Sequence, residues 1–397
     1  MKNICNGWDK NEFPYINFSP DESVSEQTRI WQGCPTVAVT RGGRIFAGWN
    51  SGGELEPCIL NYNIFAVSDD DGKTWSDPLL TIGTDFENRM RRIDIQYWIT
   101  KENHLWVTWV NSPFYETSKP ASLKAILTAK IKPDYHKEFL STMVMVCKDP
   151  DADDLVWEKP RYLCDGFLRN KIIETINGRI IAPAYDYEGD TYTLRISDDG
   201  GNTFFTSAAK GKPDRNVFDE ICIYEKEPGV LRFLARTDEK GYMHSHSYDN
   251  GDTWEVATRF EDAPSTRIYI GKLKSGRVIY VRNISDTERN GMKISLSEDG
   301  GVTYPWVLVL DDRESLSYPD VAEDKDGNIY IVHDRERHNG AGLDRETWTS
   351  TAAKEILICK VTEEDIMKGK LSPTSYVGRV ISKAKINKLG DFVPENA

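Results

Sequence analysis

No stretch of the 397-residue chain reaches the roughly 18 consecutive apolar residues that a membrane span needs. The opening segment, MKNICNGWDKNEFPYINFSP, has no apolar core of signal-peptide length. A soluble, cytoplasmic chain without a membrane partner is expected on these grounds. Cysteine is scarce and scattered: the seven residues Cys5, Cys34, Cys58, Cys147, Cys164, Cys222 and Cys359 form an odd count with no C-x-x-C pair. That argues against a disulfide framework or a zinc site and for reduced thiols. Only six histidines are present, and the one close pair, His244 and His246, reads as a packed or solvated strand pair, so no metal is expected. Neither a dinucleotide glycine fingerprint nor a phosphate-binding loop occurs, and no cofactor is expected. Lysine and arginine total 50 against 63 aspartates and glutamates, a net charge of -13 with no basic run. Nucleic acid is therefore excluded as the expected partner.

Aromatic residues, by contrast, are plentiful: Trp 11, Tyr 18 and Phe 14, the side chains that fill β architectures. Four segments share the spelling S-x-D-x-G-x-T-aromatic. They are Ser68-Asp70-Gly72-Thr74-Trp75, Ser197-Asp199-Gly201-Thr203-Phe204, Ser247-Asp249-Gly251-Thr253-Trp254 and Ser297-Asp299-Gly301-Thr303-Tyr304. The last three start 50 residues apart, and one further step back lands on Cys147, opening the degenerate copy CKDPDADDLVW that ends at Trp157. Asp and Gly make a tight reversal, the carboxylate accepts backbone N–H bonds within it, and the aromatic packs between strands. Such a turn is structural punctuation rather than catalytic machinery.

Apolar strands flank each copy, joined by the turns Gly42-Gly43, Asn177-Gly178, Ser275-Gly276 and Asp326-Gly327. With a last unit from Ser317 through Ile356 to Val361, the count is six. The expected fold is all-β, a six-bladed β-propeller spanning 1–397 as one domain. The long interval between the first two copies predicts an insertion at about 111–137 in the second blade. The closing blade is expected to take a strand from the N-terminal segment, leaving no open edge.

The repeats resemble those of the sialidase or neuraminidase superfamily, six-bladed propeller glycoside hydrolases marked by this Asp-box repeat, over about Pro35 to Ile366. The resemblance implies roles for particular residues. In SYPDVAEDKDGNIYIVHD, Tyr318 takes the place of the tyrosine nucleophile. A phenol suits a sialoside because the carboxylate on its anomeric carbon repels an anionic nucleophile. FDEICIYEKEPGVLRFLARTDEKG offers Glu220 as the base for that tyrosine and Arg236 as a carboxylate ligand, with Glu225 and Arg232 as rivals. TERNGMKISLSEDGG nominates Arg289 as a second arginine, with Arg267 and Arg282 as competitors. Two such guanidiniums hold a carboxylate by charge-assisted, bidentate bonds. The family's first arginine, in an R-I-P segment, aligns with Gly33 in WQGCP, and Arg29 is the nearest substitute. In place of the family's acid/base aspartate, SGGELEP offers Glu56 or Glu54. Asp94 and the cluster Asp334, Arg335 and Arg337 are further candidates for substrate contacts, Asp94 and Arg335 foremost, with Trp31 and Trp49 as sugar-stacking faces.

The implied activity is a sialidase-like exo-glycoside hydrolase that removes a terminal acidic sugar from an oligosaccharide or glycoconjugate, with retention, through a Tyr318 adduct. Three alternatives stand beside it: a propeller glycosidase for a uronic or deoxy sugar, a polysaccharide lyase using His333 as base, and a carbohydrate-binding propeller in which Tyr318 and Glu220 do not meet.

Overall fold

The computed structural model describes residues 1–53, 56, 58–113, 140–187, 189–214, 216, 218–239, 241–337, 343–344 and 349–387. Six sheets form the blades of a β-propeller, each running antiparallel from a first strand beside the axis outward. The first strands are Gln32–Val39, Met90–Ile99, Ile173–Glu174, Cys222–Glu227, Tyr269–Lys272 and Leu316–Glu323, for blades 1 to 6 respectively. The core lies between blades rather than within them. Phe46, Phe65, Tyr97 and Trp157 fill the space between blades 1 and 2, Tyr192, Ile196 and Phe233 that between 3 and 4, and Ile294, Leu296, Ile331 and Leu357 that between 5 and 6.

The repeated turns dock neighbouring blades. In the first, Asp70 Oδ1 accepts from the Thr74 N–H at 2.8 Å and Oδ2 from its hydroxyl at 2.7 Å, while the Ser68 hydroxyl accepts from the Gly72 N–H at 2.9 Å. The same bonds recur around Asp199, Asp249 and Asp299. The turn glycines have positive φ, and each lies against the blade before it in the ring. A Cβ on Gly201 would stand 2.6 Å from Trp106 of blade 2, and one on Gly301 would stand 2.6 Å from the Tyr224 hydroxyl of blade 4. The degenerate copy reaches back to blade 1, where Asp151 accepts from the Thr40 hydroxyl and from the Gly42 N–H at 3.0 Å.

Closure differs from the expectation. Blade 6 is complete without the N-terminus, because Tyr376–Lys383 supplies its outer strand after the short helix Glu363–Lys368. The N-terminal segment instead adds outer edges elsewhere: Asn3–Cys5 pairs in parallel with Leu155–Trp157 of blade 2, and Ile16–Asn17 pairs with Leu80–Ile82 of blade 1. Blades 6 and 1 are joined by side chains. Asp320 Oδ2 accepts from the Thr36 hydroxyl at 2.8 Å and the Val37 N–H at 2.9 Å, and Asp334 Oδ2 from the Cys34 N–H at 2.8 Å.

The second blade's strand Leu105–Pro113 runs into the expected insertion, whose residues 114–137 lie outside the described residues. No helix among the described residues is long and apolar enough to cross a membrane.

Below the axial mouth, Arg267 is wholly buried and donates to the carbonyls of Arg169 at 2.8 Å, Pro35 at 3.2 Å and Pro319 at 3.0 Å. One guanidinium thus ties the chain before blade 5 to blades 3, 1 and 6. Beside it, Lys171 Nζ pairs with Asp320 at 2.8 Å. Together they plug the axis and form a rigid floor.

Candidate active site

Four residues at the mouth have positive φ, three within inner strands, Cys34 (φ 56), Asp94 (φ 56) and Tyr318 (φ 55), and one, Glu220 (φ 39), just before the inner strand Cys222–Glu227. For three of them the pairing register shifts at that point, between Gly33 and Thr36, between Ile93 and Gln96, and between Ser317 and Asp320. A non-glycine residue at positive φ costs on the order of 1–3 kcal/mol, held only where the surrounding fold over-determines it. Here three bulges and the left-handed residue before blade 4's inner strand bring four side chains from four blades toward one another.

Tyr318 donates its hydroxyl hydrogen to Glu220 Oε1 at 3.0 Å. Arg236 Nη1 reaches both Glu220 Oε2 at 2.9 Å and the Tyr318 oxygen at 3.3 Å. Ser265 organises two arginines at once, its hydroxyl accepting from Arg236 Nε at 3.0 Å and its carbonyl from Arg289 Nη2 at 2.8 Å. Arg289 and Arg337 flank the Tyr318 ring, with guanidinium carbons 5.7 and 4.3 Å from its centroid.

Arg169, from blade 3, is the hub of the floor. Its Nη2 lies 2.7 Å from Glu56 Oε1, its Nη1 3.0 Å from Asp94 Oδ1, and its Nε 3.8 Å from Glu220 Oε1. Glu56 Oε2 is held in turn by Arg337 Nη1 at 3.2 Å and the Cys34 thiol at 3.3 Å. A cavity of about 220 Å³ opens above, walled on one side by the arginines and on the other by Ile93, Leu140, Phe167, Tyr187 and Phe218.

These surroundings set the protonation states. Burial works against charge on Glu220, but Arg236 and Arg169 overrule it and hold the carboxyl below its ordinary range. Glu220 is therefore an anion beside the phenol. Burial and the neighbouring Glu220 charge raise Tyr318 above the ordinary phenol value, against the pull of Arg169, Arg337 and Arg236. The phenol is neutral until its proton has somewhere to go. Glu56, despite burial, is drawn down to about 2 by Arg169 and Arg337. Asp94, more deeply buried and repelled by Glu56, is pushed up to about 7. Among the described residues, Cys34, Glu56 and Asp94 are the one His/Cys/Asp/Glu group close enough to hold a metal ion. Arg169, Arg337 and the Asn50 amide engage both Glu56 oxygens, the Cys34 sulfur and Asp94 Oδ1, so guanidinium charge already faces this group, while Asp94 Oδ2 has no hydrogen-bond partner among the described residues.

Of the residues singled out in the sequence, Tyr318, Glu220, Glu56, Arg236, Arg289 and Asp94 converge on this mouth. Three do not. Arg335 turns to Glu355 at 3.3 Å and Glu336 at 3.0 Å. Glu336, at φ 49, breaks the strand alternation after it, and Arg337 enters the cavity instead. Trp31 is fully buried, and Trp49 is packed under the Arg29 guanidinium with its Nε1 donating to Gln32 at 3.2 Å, so neither offers a stacking face at the cavity. Glu54 lies outside the described residues.

The rivals are likewise engaged elsewhere. Glu225 accepts from the Gly229 N–H, Arg232 donates to the Gly301 carbonyl, Arg282 pairs with Glu261 and Asp286, and Arg267 is the axial pin. Arg29 stays below, donating to Val24, Gln32 and Ser382. The space at Gly33 is filled from blade 6: a Cβ there would stand 2.9 Å from Arg337 Cδ and 3.2 Å from its Cβ. A side chain at position 33 would thus collide with Arg337, which lines the cavity from blade 6. His333, the lyase candidate, is wholly buried inside blade 6 beside Asp311, away from the cavity.

A ring of six sheets with a buried tyrosine–glutamate pair at its axial mouth defines a sialidase-like β-propeller. The chain belongs to the BNR repeat-like domain family, whose model matches residues 122–331, more than half of the sequence. No curated protein matches it. Similar solved structures include the intramolecular trans-sialidase of Ruminococcus gnavus in complex with oseltamivir carboxylate, at 14% identity and a TM-score of 0.62, covering 88% of this chain and 98% of that one. The leech intramolecular trans-sialidase with 2,7-anhydro-Neu5Ac aligns at 14% identity and a TM-score of 0.64, covering 89% and 70%. A NanB sialidase mutant from Streptococcus pneumoniae aligns at 16% and 0.60, covering 82% and 68%.

Proposed function

We propose that the protein is an exo-acting glycoside hydrolase that removes a terminal acidic sugar through a covalent adduct on Tyr318. The observation that carries this reading is the 3.0 Å hydrogen bond from the Tyr318 hydroxyl to Glu220 with Arg236 bridging both. In the reaction, the Tyr318 oxygen attacks the anomeric carbon as its proton passes to Glu220, and the leaving oxygen takes a proton from Glu56. Water then cleaves the adduct with Glu56 as base while Glu220 returns its proton to the departing Tyr318 oxygen, and the anomeric configuration is retained.

Arg236, Arg289 and Arg337 surround the Tyr318 ring and supply the donors for a sugar carboxylate. A neutral phenol flanked by guanidiniums suits a substrate that brings its own negative charge to the anomeric centre. The names of the R. gnavus, leech and S. pneumoniae structures make sialosides the first substrates to try. The apolar wall of Ile93, Leu140, Phe167, Tyr187 and Phe218 faces the other side of the sugar.

The test is turnover of a fluorogenic sialoside by wild type and Tyr318→Phe, beside fluorogenic uronides and neutral glycosides. Wild type is expected to turn over the sialoside, and the variant to lose about a thousandfold or more. Equal rates for the two proteins overturn the nucleophile. Silence on sialosides with turnover of a uronide moves the substrate, and silence throughout favours a binding propeller.

A further inference from the structure

The residue assigned to donate the proton is clamped as an anion in this arrangement. Glu56 Oε1 is paired with Arg169 at 2.7 Å, and Oε2 with Arg337 at 3.2 Å and the Cys34 thiol at 3.3 Å. The charged or titratable groups facing it are these three together with Arg91 and Asp94 of blade 2, the last linked through the Asn50 amide, which bonds Asp94 at 3.1 Å and Glu56 at 3.5 Å. A carboxylate clamped by two guanidiniums is a stable anion, the opposite of a proton donor.

The clamps differ in kind. Arg169 is fixed from below by Asp94 as well as Glu56. Among the described residues Arg337 makes polar contact with Glu56 and the Cys34 sulfur, with the Asp334 charge nearby; it lines the cavity and stands 4.3 Å from the Tyr318 ring, where a substrate carboxylate would lie. Arg289 meets no carboxylate at ion-pair distance among the described residues, so the arginine group already has room for one more anion.

Resting on the acidic-sugar reading above, we propose that Arg337 is a positioning residue for Glu56: the substrate carboxylate draws its guanidinium off Glu56, and Glu56 thereby takes up the proton that it later gives to the leaving group. The balance is complete. Glu56 gains one proton from solvent while the sugar binds, and that proton leaves with the departing alcohol as the C–O bond breaks. The Tyr318 proton moves separately to Glu220. A sugar without the carboxylate leaves Glu56 clamped, so selection for acidic sugars operates at proton transfer as well as at binding.

The experiment is calorimetric titration at pH 6, in buffers of different ionisation enthalpy, with 2,3-didehydro-2-deoxy-N-acetylneuraminate, which has no leaving group, and with its methyl ester. Wild type is expected to bind the acid with uptake of close to one proton per site. Glu56→Gln is expected to bind it with uptake near zero, which separates Glu56 from Asp94. Arg337→Met is expected to bind the acid at least tenfold more weakly and with reduced uptake, because the second of Glu56's two clamps is already absent before the sugar binds. Binding of the acid by wild type without proton uptake, or equal uptake in Glu56→Gln, overturns the inference and leaves the glycosidase reading standing. Failure of wild type to bind the acid overturns the sialic-acid reading and this inference with it.

Discussion

Substituting His333 by glutamine separates electrostatic from packing contributions within blade 6. His333 is wholly buried on the strand Asn328–Arg335, its Nε2 3.4 Å from Asp311 Oδ2 at the outer edge of blade 5. Burial disfavours the imidazolium, but the bonds with Asp311 and Cys359 overrule it and push the group up to about 9. Against an unfolded value of about 6.5, the difference is worth about 3 kcal/mol of folding free energy.

A raised pKa means that the folded state binds the proton more tightly than the unfolded chain does. The stabilisation is therefore fully present below pH 6.5 and is lost as pH rises through about 9. Glutamine keeps a polar group in the space but carries no charge, so its packing penalty does not change with pH. In urea unfolding, the gap between wild type and His333→Gln should be widest at pH 5.5 and narrow by about 3 kcal/mol at pH 9.5. If the ring unfolds in one step, this corresponds to about 4 °C in melting temperature for a chain of this length. A gap that stays constant from pH 5.5 to 9.5 would refute a buried imidazolium and mean a neutral ring.

Arg267→Met should lower unfolding stability by about 3–5 kcal/mol, read from chemical denaturation, because it leaves three buried carbonyls from three blades without their donor; a loss below 1 kcal/mol would refute its role as the axial pin. Gly33→Arg should abolish sialoside turnover by forcing its side chain into Arg337, and Arg337→Gly should also abolish it by removing a carboxylate ligand. Combining the two should recover at least tenfold over either single variant, and a double variant no better than the singles would refute the shared space.

The parts of the site legible in the sequence are those tied to a turn. Tyr318 follows the last repeat, Arg289 precedes it, and Glu220 and Arg236 bracket a single hairpin, so the resemblance of these short segments to the family could be carried onto numbered residues. Arg169 has no such address, and Arg337, named together with Asp334 and Arg335, could not be told from Arg335 as the arginine that enters the cavity. Arg169 lies in the short segment FLRNK, between strands of two residues each, where no periodicity can be read. Arg337 depends on the left-handed residue Glu336, and nothing in the composition announces that break.

The tryptophans misled for a different reason. Strands Gln32–Val39 and Ile45–Ser51 are buried on both faces, so alternation does not distinguish a residue facing the mouth from one facing a neighbouring blade. Ring closure was misjudged because the outer strand Tyr376–Lys383 follows a helix and a loop and carries no repeat. The N-terminal strands, of three and two residues, are too short to show a period.

The filling of Gly33's space by Arg337 shows what a radial fold permits. Every blade points at the same axis, so a functional group is defined by where it ends in space and not by the strand from which it departs. A neighbour one-sixth of a turn away can deliver it equally well. Gly33 brings no side chain to the axis, yet Arg236, Arg289 and Arg337 still gather around Tyr318 from three other positions. In propellers, the unit of inheritance to follow is therefore the pair made of a vacated position and the side chain that fills it.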